Sequence, residues 1–269
     1  MPRADRTSDE AASAPGPTSR LSDLRPGNRR KAPAPTIVLL VRHGTTTTTG
    51  RELPGRAPGL HLSDEGREQA ERVAARIART AGLDADPQAD GDGHSTDGET
   101  AGRRGKSHAR PKVAAVYASP LERTRETAAP IARLLGQEVL VDEGLVELDV
   151  GDWTGLELKA ARKRKEWATI QRYPSGFTFP GGESFVAMQA RITGTIDRLR
   201  AAHPGQTIVA VSHADPIRAA VAHAMGTHLD LFQRVVVSPC SLTAIAYGDE
   251  GPAVLTVNDT GTTVPLVPS

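Results

Sequence analysis

The sequence runs to 269 residues with 33 Lys and Arg against 32 Asp and Glu, a formal net charge of +1, which argues against a chain-wide polyanion-binding surface and so against nucleic acid as partner. Its single cysteine, Cys240, excludes an intrachain disulfide framework and a cysteine-rich metal site, and points to a reducing compartment, by default the cytoplasm. No apolar run approaches the roughly 18 residues of a membrane span, and no hydrophobic segment of signal-peptide length follows the basic residues near the start, so no membrane partner and no targeting signal are expected.

Residues 1–35 are rich in Pro, Ser, Ala, Arg and Asp without apolar periodicity, which predicts a disordered tail. A globular domain over 36–260 is expected to follow. Thr36 to Val41 is a continuous β-branched and leucine run, the pattern of a strand buried on both faces in a parallel sheet. It ends in Arg42-His43-Gly44, after which come five threonines, Thr45 to Thr49, and a glycine-rich loop over 50–59. Ser63-Asp64-Glu65 supplies a cap and an acidic first turn, and Ala70, Val73, Ala74, Ile77 and Ala81 recur on one helical face. Residues 84–112 carry almost no large apolar side chain and predict a disordered insertion in which His94 and His108 are solvated.

Val113 to Ala118 is a second buried strand. Ser119 is expected to cap the next helix and Pro120 to take its first position, with Pro130 kinking the segment before about Leu135. Further strands are predicted at Glu138 to Val141, Thr207 to Val211, Leu242 to Tyr247 and Ala253 to Val257. Helices are predicted near Ser184 to Ala202 and Asp215 to Met225, and residues 261–269 form a C-terminal tail. This alternation implies an α/β sandwich with a mainly parallel central sheet.

In such sheets ligands sit beyond the carboxyl ends of the strands. Three polar clusters fall there: Arg42-His43-Gly44, Ser119-Pro120-Leu121-Glu122-Arg123, and Ser212-His213-Ala214-Asp215. Two histidines and two arginines at one sheet edge make a cationic pocket that an anion would balance. The stretch Glu143 to Gly155 adds Glu143, Glu147, Asp149 and Asp152. A carboxyl group beside a bound phosphate dianion has a raised pKa and can protonate a leaving oxygen.

These motifs, with Leu145-Val146-Glu147, Gly151-Asp152-Trp153-Thr154-Gly155, Pro180-Gly181-Gly182-Glu183-Ser184 and the Leu62 to Ala70 helix start, stand in the order found in the histidine phosphatase superfamily, also called phosphoglycerate mutase-like. The sequence resembles that family over almost everything outside the tail and the insertion. The resemblance implies a three-layer α/β/α sandwich and a phosphatase acting on a small phosphorylated metabolite. It implies His43 as nucleophile, forming phosphohistidine, and Glu147 as proton donor. Arg42, Arg123 and His213 would contact the phosphoryl oxygens, with Ala214 beside them. No metal and no cofactor is implied. Thr45 and Thr49 take places where relatives often carry Glu or Gln and Asn, so both are candidate phosphate contacts. Arg56, with Arg51, is a candidate contact to the rest of the substrate.

Asp215 stands where relatives commonly have glycine, and is expected to cap the following helix or to touch substrate. Thr124 and Thr127 read as helix-face residues, Arg125 as a rim charge, Trp153 as packing, and His223 and His228 as surface or helix-end histidines. Two other functions stay open: a phosphoglycerate mutase-type phosphomutase, and a non-catalytic phospholigand-binding or interaction module. Oligomeric state is not legible in the sequence.

Overall fold

The computed structural model describes residues 33–82 and 112–261. The expected tails over 1–35 and 261–269 and the insertion over 84–112 lie, apart from residues 33–35, 112 and 261, outside the described residues. In chain order the elements are β1 Thr36–Arg42, β2 Glu52–Leu53, α1 Asp64–Thr80, β3 Val113–Ala118, α2 Glu122–Leu135, β4 Val139–Val141 and β5 Leu156–Glu157. There follow α3 Leu158–Ala161, α4 Trp167–Arg172, α5 Phe185–Ala202, β6 Thr207–Ser212, α6 Ala214–Ala224, β7 Leu242–Gly248 and β8 Gly251–Asp259.

The main sheet has six strands in the order β4-β3-β6-β1-β7-β8. β1, β3, β4 and β6 are parallel, and β7 and β8 add an antiparallel edge. Because successive strand residues face opposite ways, the apolar runs of β1 and β6 serve two cores at once. Val38, Leu40, Ile208 and Ala210 pack with Met188, Ile192 and Ile196 of α5 and with Ile217, Ala220 and Val221 of α6. Leu39, Val41, Val209 and Val211 pack with Ala70, Val73 and Ile77 of α1 and with Ala128 and Ile131 of α2. The sheet is thus sandwiched between two helical layers, the three-layer arrangement the sequence implies. Each buried Val, Leu or Ile contributes about 1.5–3 kcal/mol, and a one-residue slip would exchange the two faces.

Local capping fixes where the helices begin. Ser63 accepts from Gly66 N at 3.1 Å to start α1, and Ser184 accepts from Ala187 N at 3.0 Å to start α5. Two cap expectations are corrected. α2 starts at Glu122 with Leu121 as its N-cap residue and Pro120 ahead of the helix rather than in its first position; the Ser119 hydroxyl meets Thr124 and His213 and, of the main chain here, accepts only from Leu121 N, at 3.4 Å. α6 starts after His213 without a side-chain cap, and Asp215 bonds Arg218 Nη1 at 3.0 Å instead. α2 runs unbroken through Pro130. Among the described residues, no helix is long and apolar enough to cross a membrane.

Candidate active site

β3, β6 and β1 are neighbours, with Ala118 opposite Val211 and Arg42 opposite Ser212, so the residues after each strand emerge side by side. The ladder runs on past the strand ends through His43 N to Ser212 O at 3.0 Å and Ser119 N to Val211 O at 3.1 Å. This fixes the main chain beneath the three polar clusters.

His43 is buried, and its Nδ1 lies 2.8 Å from Gly44 O. A carbonyl only accepts, so Nδ1 carries the proton and Nε2 keeps a lone pair. Burial, reinforced by the charges of Arg42 and Arg123, holds the ring well below the ordinary histidine pKa, so it rests neutral. Gly44 is held between two helices: its N–H donates to Thr127 Oγ1 at 3.0 Å, and a Cβ there would come within 2.5 Å of Gly66 O. Thr127 in turn donates to Arg123 O at 2.7 Å, so α2 places the arginine and the anchor of the nucleophile loop together.

Arg42 donates through Nη1 to Val237 O at 2.7 Å, and its own carbonyl accepts from Cys240 N at 3.0 Å. Arg123 is fully buried and donates through Nη2 to Gly55 O at 2.8 Å. Arg42 Nε and Arg123 Nε and Nη1 are buried without a hydrogen-bond partner. Leaving charged donors unpaired in a buried site is costly, and an anion between the two guanidinium groups would complete them.

His213 faces His43 edge-on, with ring centroids 5.1 Å apart. Burial, and after it the neighbouring His43 ring and the charges of Arg123, Arg42 and Arg191, holds it well below the ordinary histidine range, so it rests neutral too. Its Nε2 is 2.8 Å from Ser119 Oγ, which is 2.9 Å from Thr124 Oγ1. The proton of Thr124 is fixed on a carbonyl, Leu121 O at 2.6 Å, since two bare oxygens would repel at that distance. Ser119 therefore donates to Thr124 and accepts from His213 Nε2–H. Nδ1, which has no hydrogen-bond partner, presents a lone pair in the neutral ring and a donor once the ring is protonated.

Glu147 completes the cluster, with Oε2 at 3.9 Å from His213 Nδ1 and Oε1 accepting from Leu148 N at 2.9 Å. Burial, and then the charge of Asp215, raises its carboxyl pKa to about 7, against the pull of Leu148 N–H, Arg123 and Arg42. The other carboxylates of this stretch lie elsewhere. Glu143 and Asp152 are exposed, and Asp149 accepts from Gly151 N at 2.9 Å while standing 3.7 Å from Arg56. Gly151 has φ +49° and meets the 180–182 backbone so closely that no side chain fits. Asp152 N to Pro180 O and Glu183 N to Asp149 O, both 2.9 Å, tie the acid stretch to the Gly-Gly-Glu stretch.

The structure thus brings together His43, Arg42, Arg123, His213 and Glu147, while other expected contacts are engaged within the protein. Thr45 directs both its N–H and its hydroxyl at Gln69 Oε1, at 2.9 and 3.0 Å. Thr49 Oγ1 accepts from Thr46 N at 2.9 Å and meets Thr46 Oγ1 at 3.0 Å. Arg56 donates to Glu147 O at 2.8 Å and to Glu183 at 2.9 Å. Ala214 opens α6 directly after His213 and offers only backbone. Arg51 and Arg125 are exposed. Sequence reasoning missed the parts of Thr127, Ser119 and Thr124, although the four-residue step from Arg123 to Thr127 sets both on one helical face.

Comparison with known proteins gives the family of the chain. A family model described as histidine phosphatase superfamily (branch 1) matches residues 38–87 and 95–260. A bifunctional protein of Mycobacterium tuberculosis is 32% identical over 244 residues, covering 89% of this chain and 58% of its own length. The chain therefore spans little more than half of that relative. Phosphoserine phosphatase 1 of Hydrogenobacter thermophilus is 30% identical over 147 residues, covering 54% of this chain and 70% of the relative. A crystal structure of a mutant phosphoserine phosphatase from Entamoeba histolytica, in complex with phosphoserine, superposes with a TM-score of 0.66 at 21% identity, over 84% of this chain and 98% of that one, a likeness of fold. With the family model covering most of the described domain, this chain belongs to the histidine phosphatase superfamily, branch 1.

Proposed function

We propose that this chain is a phosphatase that hydrolyses a small phosphomonoester through phosphohistidine at His43. The observation that carries the reading is the neutral His43 ring, with Nδ1 donating to Gly44 O and Nε2 free, beside two arginines that each keep a buried donor without a partner. Nε2 attacks phosphorus and the bond to the leaving oxygen breaks, while Glu147 gives that oxygen its proton. Arg42 and Arg123 hold the phosphoryl oxygens as charge shifts among them. A monoanionic ester brings a proton that His213 Nδ1 shares with one of those oxygens. In the second half Glu147, now a carboxylate, takes a proton from water as that water bonds to phosphorus and the P–N bond breaks, releasing phosphate.

The charge that divalent metals supply in other phosphoryl-transfer sites is supplied in this reading by guanidinium groups, so turnover is expected with chelator present. A phosphorylated metabolite as substrate is supported by the names of the phosphoserine phosphatase relatives. A cytoplasmic setting is supported by a lone, buried, free Cys240.

The test is release of inorganic phosphate from p-nitrophenyl phosphate and O-phosphoserine in EDTA. Release by the wild type and none by His43→Ala supports a phosphatase. Interconversion of phosphoglycerates with a bisphosphoglycerate primer, without release, would make it a mutase. Phosphate binding without turnover would make it a binding module.

A further inference from the structure

We infer that Arg191, Glu183 and Arg56 act together as a positioning clamp for Glu147, working through its main chain; this rests on the reading of Glu147 as the proton donor. Arg191 of α5 donates through Nη1 to Gly144 O at 2.9 Å and Val146 O at 2.7 Å, and through Nη2 to Glu147 O at 3.3 Å. Arg56, from the loop that follows the nucleophile, donates through Nε to the same Glu147 carbonyl at 2.8 Å. Glu183 bridges the two, with Oε2 at 2.9 Å from Arg56 Nη2 and 2.9 Å from Arg191 Nη2, and Oε1 at 3.0 Å from Arg191 Nε. Two side chains from separate segments, Arg56 and Arg191, thereby converge on the carbonyl of one residue, with Glu183 between them.

The Glu147 carboxyl is aimed by that backbone, since Oε1 is held by the next amide, Leu148 N. A shift of the 146–148 main chain therefore moves the proton. The clamp pairs two guanidinium groups with the Glu183 carboxylate and the nearby Asp149 carboxylate. Burial and Asp215 raise the acid, against the Leu148 N–H, Arg123 and Arg42, and these are the largest influences on it. Geometry is what the clamp supplies to Glu147. The side chains suit that part: Glu183 is 14% and Arg191 20% exposed, well below the exposure of free surface ion pairs, whose worth is small. Arg56 is thereby a residue that joins its loop to the acid, which is why its donors point inward rather than to a ligand.

The experiment compares Arg191→Lys, Glu183→Gln and Arg56→Ala in the full chain on two probes, p-nitrophenyl phosphate, whose leaving group needs little protonation, and β-glycerophosphate, whose alkoxide needs it. Each substitution is expected to lower the pre-steady-state rate of alcohol release, the half in which Glu147 acts as acid, about 10-fold on β-glycerophosphate and less than roughly 3-fold on p-nitrophenyl phosphate, with half-saturation and the alkaline limb of the pH profile of that rate unmoved; the second half, where Glu147 serves both probes alike, does not enter this rate. In a Glu147→Gln background the same substitutions are expected to have no further effect. Equal losses of that rate on both probes, a shared rise in its half-saturation, full activity in Arg191→Lys, or additive losses in the Glu147→Gln background would overturn the clamp. Arg56→Ala, on a half-exposed loop residue, keeps the test open if the α5 variants do not fold. If Glu147→Gln itself fails to separate the two probes in the rate of alcohol release, the acid reading falls; if it separates them and the clamp variants do not, only the clamp falls.

Discussion

Glu147 Oε2 and His213 Nδ1 stand 3.9 Å apart as two neutral groups below pH 7, not as an ion pair. Burial and Asp215 raise the acid to about 7, and burial holds the histidine well below its ordinary range, so the resting site keeps a proton on the carboxyl and none on Nδ1. Turnover of a substrate with a poor leaving group is therefore expected to fall about 10-fold per pH unit above pH 7, as the acid form is titrated away. Pre-steady-state release of the alcohol from β-glycerophosphate measures it, and a flat profile through pH 8 would count against Glu147 as donor.

The same shift predicts a pH-dependent stability. A carboxyl raised from 4.5 to about 7 on folding favours the folded state fully below pH 4.5 and loses that contribution as pH rises to about 7. The loss is roughly 3 kcal/mol at 1.36 kcal/mol per unit. Melting of the wild type and Glu147→Gln between pH 4.5 and 7.5 is expected to show the wild type losing ground to the variant as pH rises. His43 and His213 act in the opposite direction, losing stability as pH falls below their ordinary pKa, but they are common to both proteins and cancel in the difference. Parallel curves would contradict the raised acid.

Ser119 fixes which ring nitrogen of His213 carries the proton. Ser119→Ala leaves a buried N–H unpaired, at a cost of about 1–3 kcal/mol, and frees the ring to change tautomer. A roughly 10-fold fall in kcat with a folded protein is expected, together with a mixture of His213 tautomers by nitrogen NMR where the wild type shows one.

Gly44 joins packing to chemistry. Gly44→Ala drives a methyl group into Gly66 O, and Thr127→Val removes the acceptor of Gly44 N–H. Each is expected to destabilise the fold by about 1–3 kcal/mol in denaturant melts and to cut turnover, since the His43 backbone moves with Gly44. Unchanged stability in both variants would contradict the anchoring role of α2.

Much of this architecture is legible in the sequence because β1, β3 and β6 are unbroken apolar runs that end abruptly in polar motifs. Adjacency of those strands then gathers His43, Arg123 and His213 without further information. What stayed hidden rests on partners far along the chain. The Ser119 hydroxyl resembles a helix cap locally, and only the fold brings His213, 94 residues later, within 2.8 Å. Arg56 in a glycine-rich loop resembles a ligand contact, yet its partners Glu147 and Glu183 lie 91 and 127 residues on. Thr45 resembles a phosphate donor until α1 brings Gln69 to it. The short helices α3 and α4 flank a basic run, Arg162 to Lys165, that has no apolar period to betray them.

The covalent intermediate decides between this mechanism and direct attack by water. Rapid quenching of the full chain during turnover of a radiolabelled phosphomonoester is expected to give acid-labile, base-stable label on His43, and none in His43→Ala. Label that persists in His43→Ala, or steady turnover by the wild type with no label on any histidine, would contradict it.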